Sequence, residues 1–283
     1  VTPPILLLLY SAALMAVSLV GGGVTERLQM THTRTQLAMS LVSGLMLGIA
    51  LFHLLPHAVL TLGTARGLNT VMAWMVLGLV TMLLLLRLLH FHQPDLHHVE
   101  KHVHQGDCDE VVAEVNWRGV LLGLSFHTLV DGVALGAALL GAPRGHAEDL
   151  LGFGVFLAIL LHKPLDAMSI TALMKAGGVG VGGQRAANGL FAVLCPLGAL
   201  GFYYWAGNSD SAALWIAAAM AFSAGAFVCI ALSDLLPEVQ FHSHDRIKLT
   251  SVFLLGIIAS FMLASAAPEH GHPGVLLPVE SGH

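Results

Sequence analysis

Long apolar runs separated by short polar breaks set the plan of this chain. Eight runs, near 5–24, 36–62, 71–89, 117–141, 150–176, 186–207, 212–237 and 248–267, each hold the about 20 residues that a spanning helix needs. Lipid offers backbone N–H and C=O groups no partner, so such runs satisfy their own hydrogen bonds as helices. The longest break, 90–116, separates the third run from the fourth. The pattern predicts an all-α polytopic membrane protein, with one transmembrane domain over residues 1–283 and a loop at 90–116.

The exceptions within the apolar runs carry the chemistry. The fourth run holds His127 and Asp131, and the fifth holds His162 and Asp166. Each pair is spaced i, i+4, one helical turn apart on one face. Ionisable groups at this depth are costly and mark function by default. Two imidazoles and two carboxylates facing each other suit Zn²⁺ and its first-row neighbours. A divalent metal site inside a helix bundle is expected. Neutral imidazole is the ligating form, so low pH should weaken binding and metal entry should release protons.

A second pair of matching segments lies farther out. The second run contains His53, Pro56 and His57, and the seventh contains Asp234, Pro237 and Glu238, each around a Leu-Leu-Pro core. Pairing the second run with the seventh, and the fourth with the fifth, divides the chain into an inverted 3+2+3 arrangement, a plan used by secondary transporters. His53 and His57 then stand near one mouth of a pathway, and Asp234 and Glu238 near the other. Interfacial polar residues that merely end a helix are the competing reading. Pro56, Pro164 and Pro237 remove backbone bonds to Phe52, Leu160 and Ser233, and Pro164 suggests a kink at the metal site. Glycines at 119, 123, 132 and 136, and at 44 and 48, are spaced for close helix approach, which ordinary packing explains.

Composition agrees with the runs: 56% of residues are hydrophobic and 10% charged, which excludes a soluble domain. Nine of the twelve Lys and Arg residues fall after odd-numbered runs, two (Arg66 and Arg144) on the other side, and Lys163 lies inside the fifth run. Positive charge favours the cytoplasm, which places the 90–116 loop inside and both termini outside. The first run is long enough to span and has no A-x-A-like cleavage site, so a cleaved leader is not expected. Cys108, Cys195 and Cys229 are scattered and form no disulfide framework. With a net charge of −5 and no basic run, a nucleic-acid partner is not expected.

Taken in order, His53 through His57, His127 through Leu139, His162 through Asp166, Cys195 through Leu200 and Ser233 through Glu238 resemble the ZIP (Zrt/Irt-like) family of divalent metal transporters. The resemblance spans essentially the whole chain. It implies a primary metal site on His127, Asp131, His162 and Asp166, with Zn²⁺, or Fe²⁺, Mn²⁺ or Cd²⁺, as transported substrate and no resident cofactor. The family's adjacent second site uses an amide, an acid and often another acid; here those positions read Thr128, Lys163 and Cys195. An ammonium does not ligate a metal, so a single-ion site is expected. Lys163 either neutralises Asp131 or Asp166, or snorkels toward the interface.

His90, His92, His97, His98, His102 and His104 crowd the cytoplasmic loop. Histidine-rich tracts capture metals without a fold; a disordered solubilising loop is the plainer reading, and the two are compatible. The expected setting is the plasma membrane or a bacterial inner membrane, and a homodimer is an assembly the sequence admits. An intramembrane zinc-dependent hydrolase is the alternative function, since the same ligands could hold a catalytic ion with a position open to water.

Overall fold

The computed structural model describes residues 2–24, 32–63, 65–88, 117–141, 148–241 and 246–265. Its helices are α1 (Pro3–Val24), α2 (His32–Ile49), α3 (Leu55–Leu62), α4 (Ala65–Leu88), α5 (Trp117–Gly141), α6 (Glu148–Ala176), α7 (Val181–Gly207), α8 (Ala212–Phe241) and α9 (Arg246–Ser265). Among the described residues the regular structure is entirely helical, with eight spans long and apolar enough to cross a membrane. The 90–116 loop lies outside the described residues.

The second span departs from the uninterrupted run read in the sequence. Between α2 and α3 lies a π-helical turn, Ala50–Leu54, closed by Leu55 N–H donating to the Ala50 carbonyl. Pro56, in the first turn of α3, has no amide to continue an α-helical ladder, and the wider turn just upstream absorbs the loss. Gly63 ends α3 in a left-handed conformation, φ 64°, with its N–H on the Val59 carbonyl. α6 and α7, by contrast, run through Pro164 and Pro196. α4 and α7 begin earlier than hydropathy suggested, because their polar first turns are helical too. Gln184 secures the start of α7 by donating to the Val179 carbonyl at 2.6 Å.

Packing sorts the spans into central and peripheral. α8 buries 78% of its apolar window and α5 67%, whereas α4 and α9 bury 17% each. The outer helices present Val76, Leu83, Leu255 and Ile258 to the lipid, where apolar exposure costs nothing. α8 packs on α2, α3, α4 and α5, while α5, α6 and α7 pack together with α1. Three crossings among the described residues are close enough to need glycine on both helices, and in one of them Gly78 of α4 and Gly225 of α8 meet the Phe222 and Met75 carbonyls. Gly132 of α5 lies on the Cys195 carbonyl while Gly198 of α7 lies on the Leu129 carbonyl; Gly44 of α2 and Gly256 of α9 meet the Phe253 and Leu41 carbonyls in the same reciprocal way. With water absent, such contacts gain dispersion and allow cross-helix bonds, as from Ser40 to the Leu249 carbonyl at 2.6 Å. The α5–α7 crossing falls beside Asp131, so it holds this part of α5 directly against α7.

Candidate metal centre

α5 and α6 turn their i, i+4 pairs toward one another. One donor atom from each of His127, Asp131, His162 and Asp166 can be chosen so that all lie within 4.8 Å of one another. His127 Nδ1 is 3.5 Å from Asp131 Oδ1, and its Nε2 is 3.8 Å from Asp166 Oδ2. His162 Nε2 is 3.2 Å from Asp131 Oδ2 and 3.7 Å from Asp166 Oδ2. The first three residues are buried, and Asp166, 19% exposed, is the partly open member.

Hydrogen-bond accounting explains why this cluster suits a cation. His162 Nδ1 lies 2.7 Å from the Ala158 carbonyl, which can only accept, so Nδ1 carries the proton. That leaves the Nε2 lone pair aimed at two carboxylates, the orientation of a metal-ligating histidine whose other nitrogen is held by a backbone carbonyl. Two acceptors facing each other at such range repel unless a second proton or a cation lies between them. His127 Nδ1, Asp131 Oδ1 and Asp166 Oδ2 are buried with no hydrogen-bond partner among the described residues. Buried polar atoms without partners are costly, and one divalent ion would satisfy several at once.

Lys163 points inward. Its Nζ donates to Asp131 Oδ2 at 2.9 Å and to Thr128 Oγ1 at 2.8 Å, and the side chain is fully buried. The ammonium also lies 4.8 Å from the centroid of the buried Phe191 ring, a cation–π contact. Asp131 therefore has one oxygen held by lysine and one left facing His127. Cys195 is buried one turn beyond Phe191 on α7, where its carbonyl takes part in the glycine crossing.

The remaining candidates behave differently. His53 is buried in the π-helical turn and its Nε2–H reaches the Ser260 carbonyl of α9 at 3.2 Å. His57 Nδ1–H bonds the His53 carbonyl at 3.0 Å. Neither joins the four-residue cluster. Asp234 and Glu238 belong to the last turns of α8, and their side chains lie outside the described residues, as do His90, His92, His97, His98, His102 and His104.

Sequence reasoning missed three contributors. Phe191 supports Lys163; Phe227 of α8 sets its ring edge-on to His162, 6.5 Å between centroids; and Ala158 provides the carbonyl that fixes the imidazole. A backbone carbonyl has no sequence signal. Phe191 had one, its i, i+4 spacing from Cys195 on α7.

Comparison with known proteins places these residues in a family. The family model described as ZIP zinc transporter matches residues 117–264, which include both histidine–aspartate turns. The zinc transporter ZIP9-B of Xenopus laevis is 32% identical over 152 residues, 51% of this chain and 48% of that protein. The zinc transporter foi of Drosophila melanogaster is 30% identical over 151 residues, 53% of this chain and 20% of that protein. Human zinc transporter ZIP10 is 29% identical over 163 residues, 55% of this chain and 18% of that one. The chain spans about half the length, or less, of these relatives. Since the family model covers more than half of the chain and takes in the whole four-residue centre, this integral membrane protein belongs to the ZIP zinc transporter family.

Proposed function

We propose that this protein carries Zn²⁺, or a similar divalent ion such as Fe²⁺, Mn²⁺ or Cd²⁺, into the cytoplasm from the exterior or a lumen. The ion is the substrate, held in passage by His127, Asp131, His162 and Asp166. The observation that carries the reading is the convergence of four buried donors within 4.8 Å on two apolar helices, where ionisable groups are costly and mark function by default. Bonded to Asp131 Oδ2 and Thr128, Lys163 fills the neighbouring position with a fixed positive charge. One ion per protomer follows, because a second divalent ion beside an ammonium is repelled.

Transport requires the site to open to each side in turn, and packing supports the inverted three-two-three plan. α2 packs on α9 as α8 packs on α4, and α1 packs on α6 as α7 packs on α5. Exchanging the first three spans with the last three, and α5 with α6, carries each of these pairs onto the other. The bias of Lys and Arg favours both termini outside, in the plasma membrane or a bacterial inner membrane. His53 and His57 would line the outer approach, Asp234 and Glu238 the inner one, and the histidines of the 90–116 loop would capture metal in the cytoplasm. The family match gives the intramembrane hydrolase no support.

Zinc flux into proteoliposomes is the test, run with candidate ester and amide substrates alongside. Uptake by the wild type, lost in His127→Ala and Asp166→Ala, is the expected result. Hydrolysis without flux would overturn the transport reading.

A further inference from the structure

α1 supplies no ligand, yet its last turn bears on the metal centre. Gly21 and Gly22 are buried there, and Gly23 is exposed. A Cβ on Gly21 would sit 2.6 Å from the Cα of Pro164 and 2.8 Å from its carbonyl oxygen, so α1 rests on the Pro164 backbone itself. Beside it, the Asn188 amide of α7 occupies the space a side chain at Gly22 would need, and its Nδ2–H reaches the Leu19 carbonyl at 3.3 Å. Gly23 faces open space. In the first half of α1, Tyr10 stacks on Phe156 of α6 with ring centroids 4.0 Å apart. The helix is thus held against α6 at two points along its length.

Pro164 stands between His162 and Asp166 on α6. Having no N–H, it leaves the Leu160 carbonyl without its partner in the helix, and the turn joining the two ligands is short of one rung. A turn with a missing rung is soft, and neighbouring packing decides its shape. His162 is fixed upstream, through Nδ1–H on the Ala158 carbonyl. Asp166 lies downstream of the proline, so any displacement of Pro164 moves Asp166 relative to His162.

We propose that Gly21 is a positioning residue for the metal centre: it lets α1 bear directly on Pro164 and thereby sets Asp166 against His162. Asn188 holds α1 in that seat. The inference rests on His162 and Asp166 being ligands of the transported ion, and the experiment separates the two ideas.

Co²⁺ is the probe, because its d–d absorption reports coordination geometry as well as occupancy, and the full chain is used in detergent with folding checked by size exclusion. Gly21→Ala should lose about tenfold in Co²⁺ affinity, the size of coupling expected between residues in contact, and should alter the d–d spectrum. In a Pro164→Ala background, which restores the missing rung, the same substitution should cost less than about threefold, since positions that act through one another are not additive. Gly23→Ala should bind as the wild type does. Should Gly21→Ala fail to fold, Asn188→Ala carries the test: it adds no bulk, and its expected loss of about threefold should likewise vanish when Pro164 is alanine. A folded Gly21→Ala or Asn188→Ala chain with the wild-type spectrum and affinity overturns the proposal. Equal losses with and without Pro164 overturn it as well. A wild-type chain that binds no Co²⁺, or a His162→Ala chain that binds it undiminished, overturns the metal reading beneath it.

Discussion

Two regions of this molecule present the same raw material, paired polar residues one helical turn apart with a proline close by, and make different use of it. In the α5–α6 centre, nitrogen and oxygen atoms from two helices converge while several remain without partners. In the α2–α3 segment, His53 gives a ring nitrogen to the Ser260 carbonyl and His57 gives one to the carbonyl of His53. The first arrangement leaves donors to be satisfied by a guest; the second satisfies them within the protein. Spacing along one helix therefore does not make a metal site. Both regions tie an imidazole nitrogen to a backbone carbonyl, so convergence of nitrogen and oxygen atoms across two helices is what separates them.

The comparison breaks if the centre tolerates losing a ligand. His127→Ala, Asp131→Ala, His162→Ala and Asp166→Ala should each abolish uptake and weaken metal binding beyond the roughly 10–100-fold cost of an outer-shell change. Each chain should still insert, as judged by a monodisperse detergent-extracted peak. Near-normal flux in two of the four would remove the assignment.

Lys163 comes next in size. Removing one partner of a buried pair leaves the other charged and unsatisfied, at a cost of about 3–5 kcal/mol. Lys163→Ala should therefore lower the thermal unfolding midpoint sharply, and Lys163→Met, which keeps the volume but not the ammonium, should do nearly as much. With residues 92–104 deleted, purified protein should hold one tightly bound ion per protomer by elemental analysis. Lys163→Asp or Lys163→Glu gives a second ion a ligand and should raise that ratio. Two ions in the loop-deleted parent would mean that the ammonium does not exclude a neighbour.

How much of this was legible in the sequence depended on whether the relevant distance runs along the chain or across it. His127 with Asp131, and His162 with Asp166, could be placed on one face because helical periodicity fixes i, i+4 neighbours. The number and order of the spans followed from the lengths of the apolar runs. The π-helical turn at Ala50–Leu54 was not legible, since a proline announces a lost bond without saying how the backbone absorbs it. Nor was the direction of Lys163. Pairing and snorkelling are both open to a long flexible cation, and the outcome depends on Asp131 and Thr128 of α5 and Phe191 of α7, all distant in sequence. The glycine steps were visible, but their partners, the Cys195 and Phe253 carbonyls, were not.

His53 sharpens the comparison from the other side. Its hydrogen bond is worth about 1 kcal/mol net, so His53→Ala should cost little more than that in stability, plus the cavity it leaves. Metal stoichiometry at the centre should not change, and uptake should slow less than in any of the four ligand variants. His57→Ala should cost less still, because the ring is only half-buried. A fall in flux equal to that of His127→Ala would place His53 among the obligatory ligands and erase the contrast.

The smallest effect on transport is expected from the 90–116 loop. Six histidines between His90 and His104 are a composition suited to divalent ions, and capture by a polar tract would need no folded geometry and no fixed connection to the centre. Deleting residues 92–104 should leave initial uptake rates within about twofold of the wild type, because the four donors of the α5–α6 centre remain. The same deletion should lower the total metal held by purified protein, and the ions lost should be the weakly held ones that a mild chelator strips first. These two measurements pull apart what a transport assay alone would merge. Unchanged flux with reduced loading assigns the loop to capture after release. Complete loss of flux in correctly inserted protein would instead make the loop part of the pathway, and the division between a convergent centre and accessory histidines would have to be redrawn.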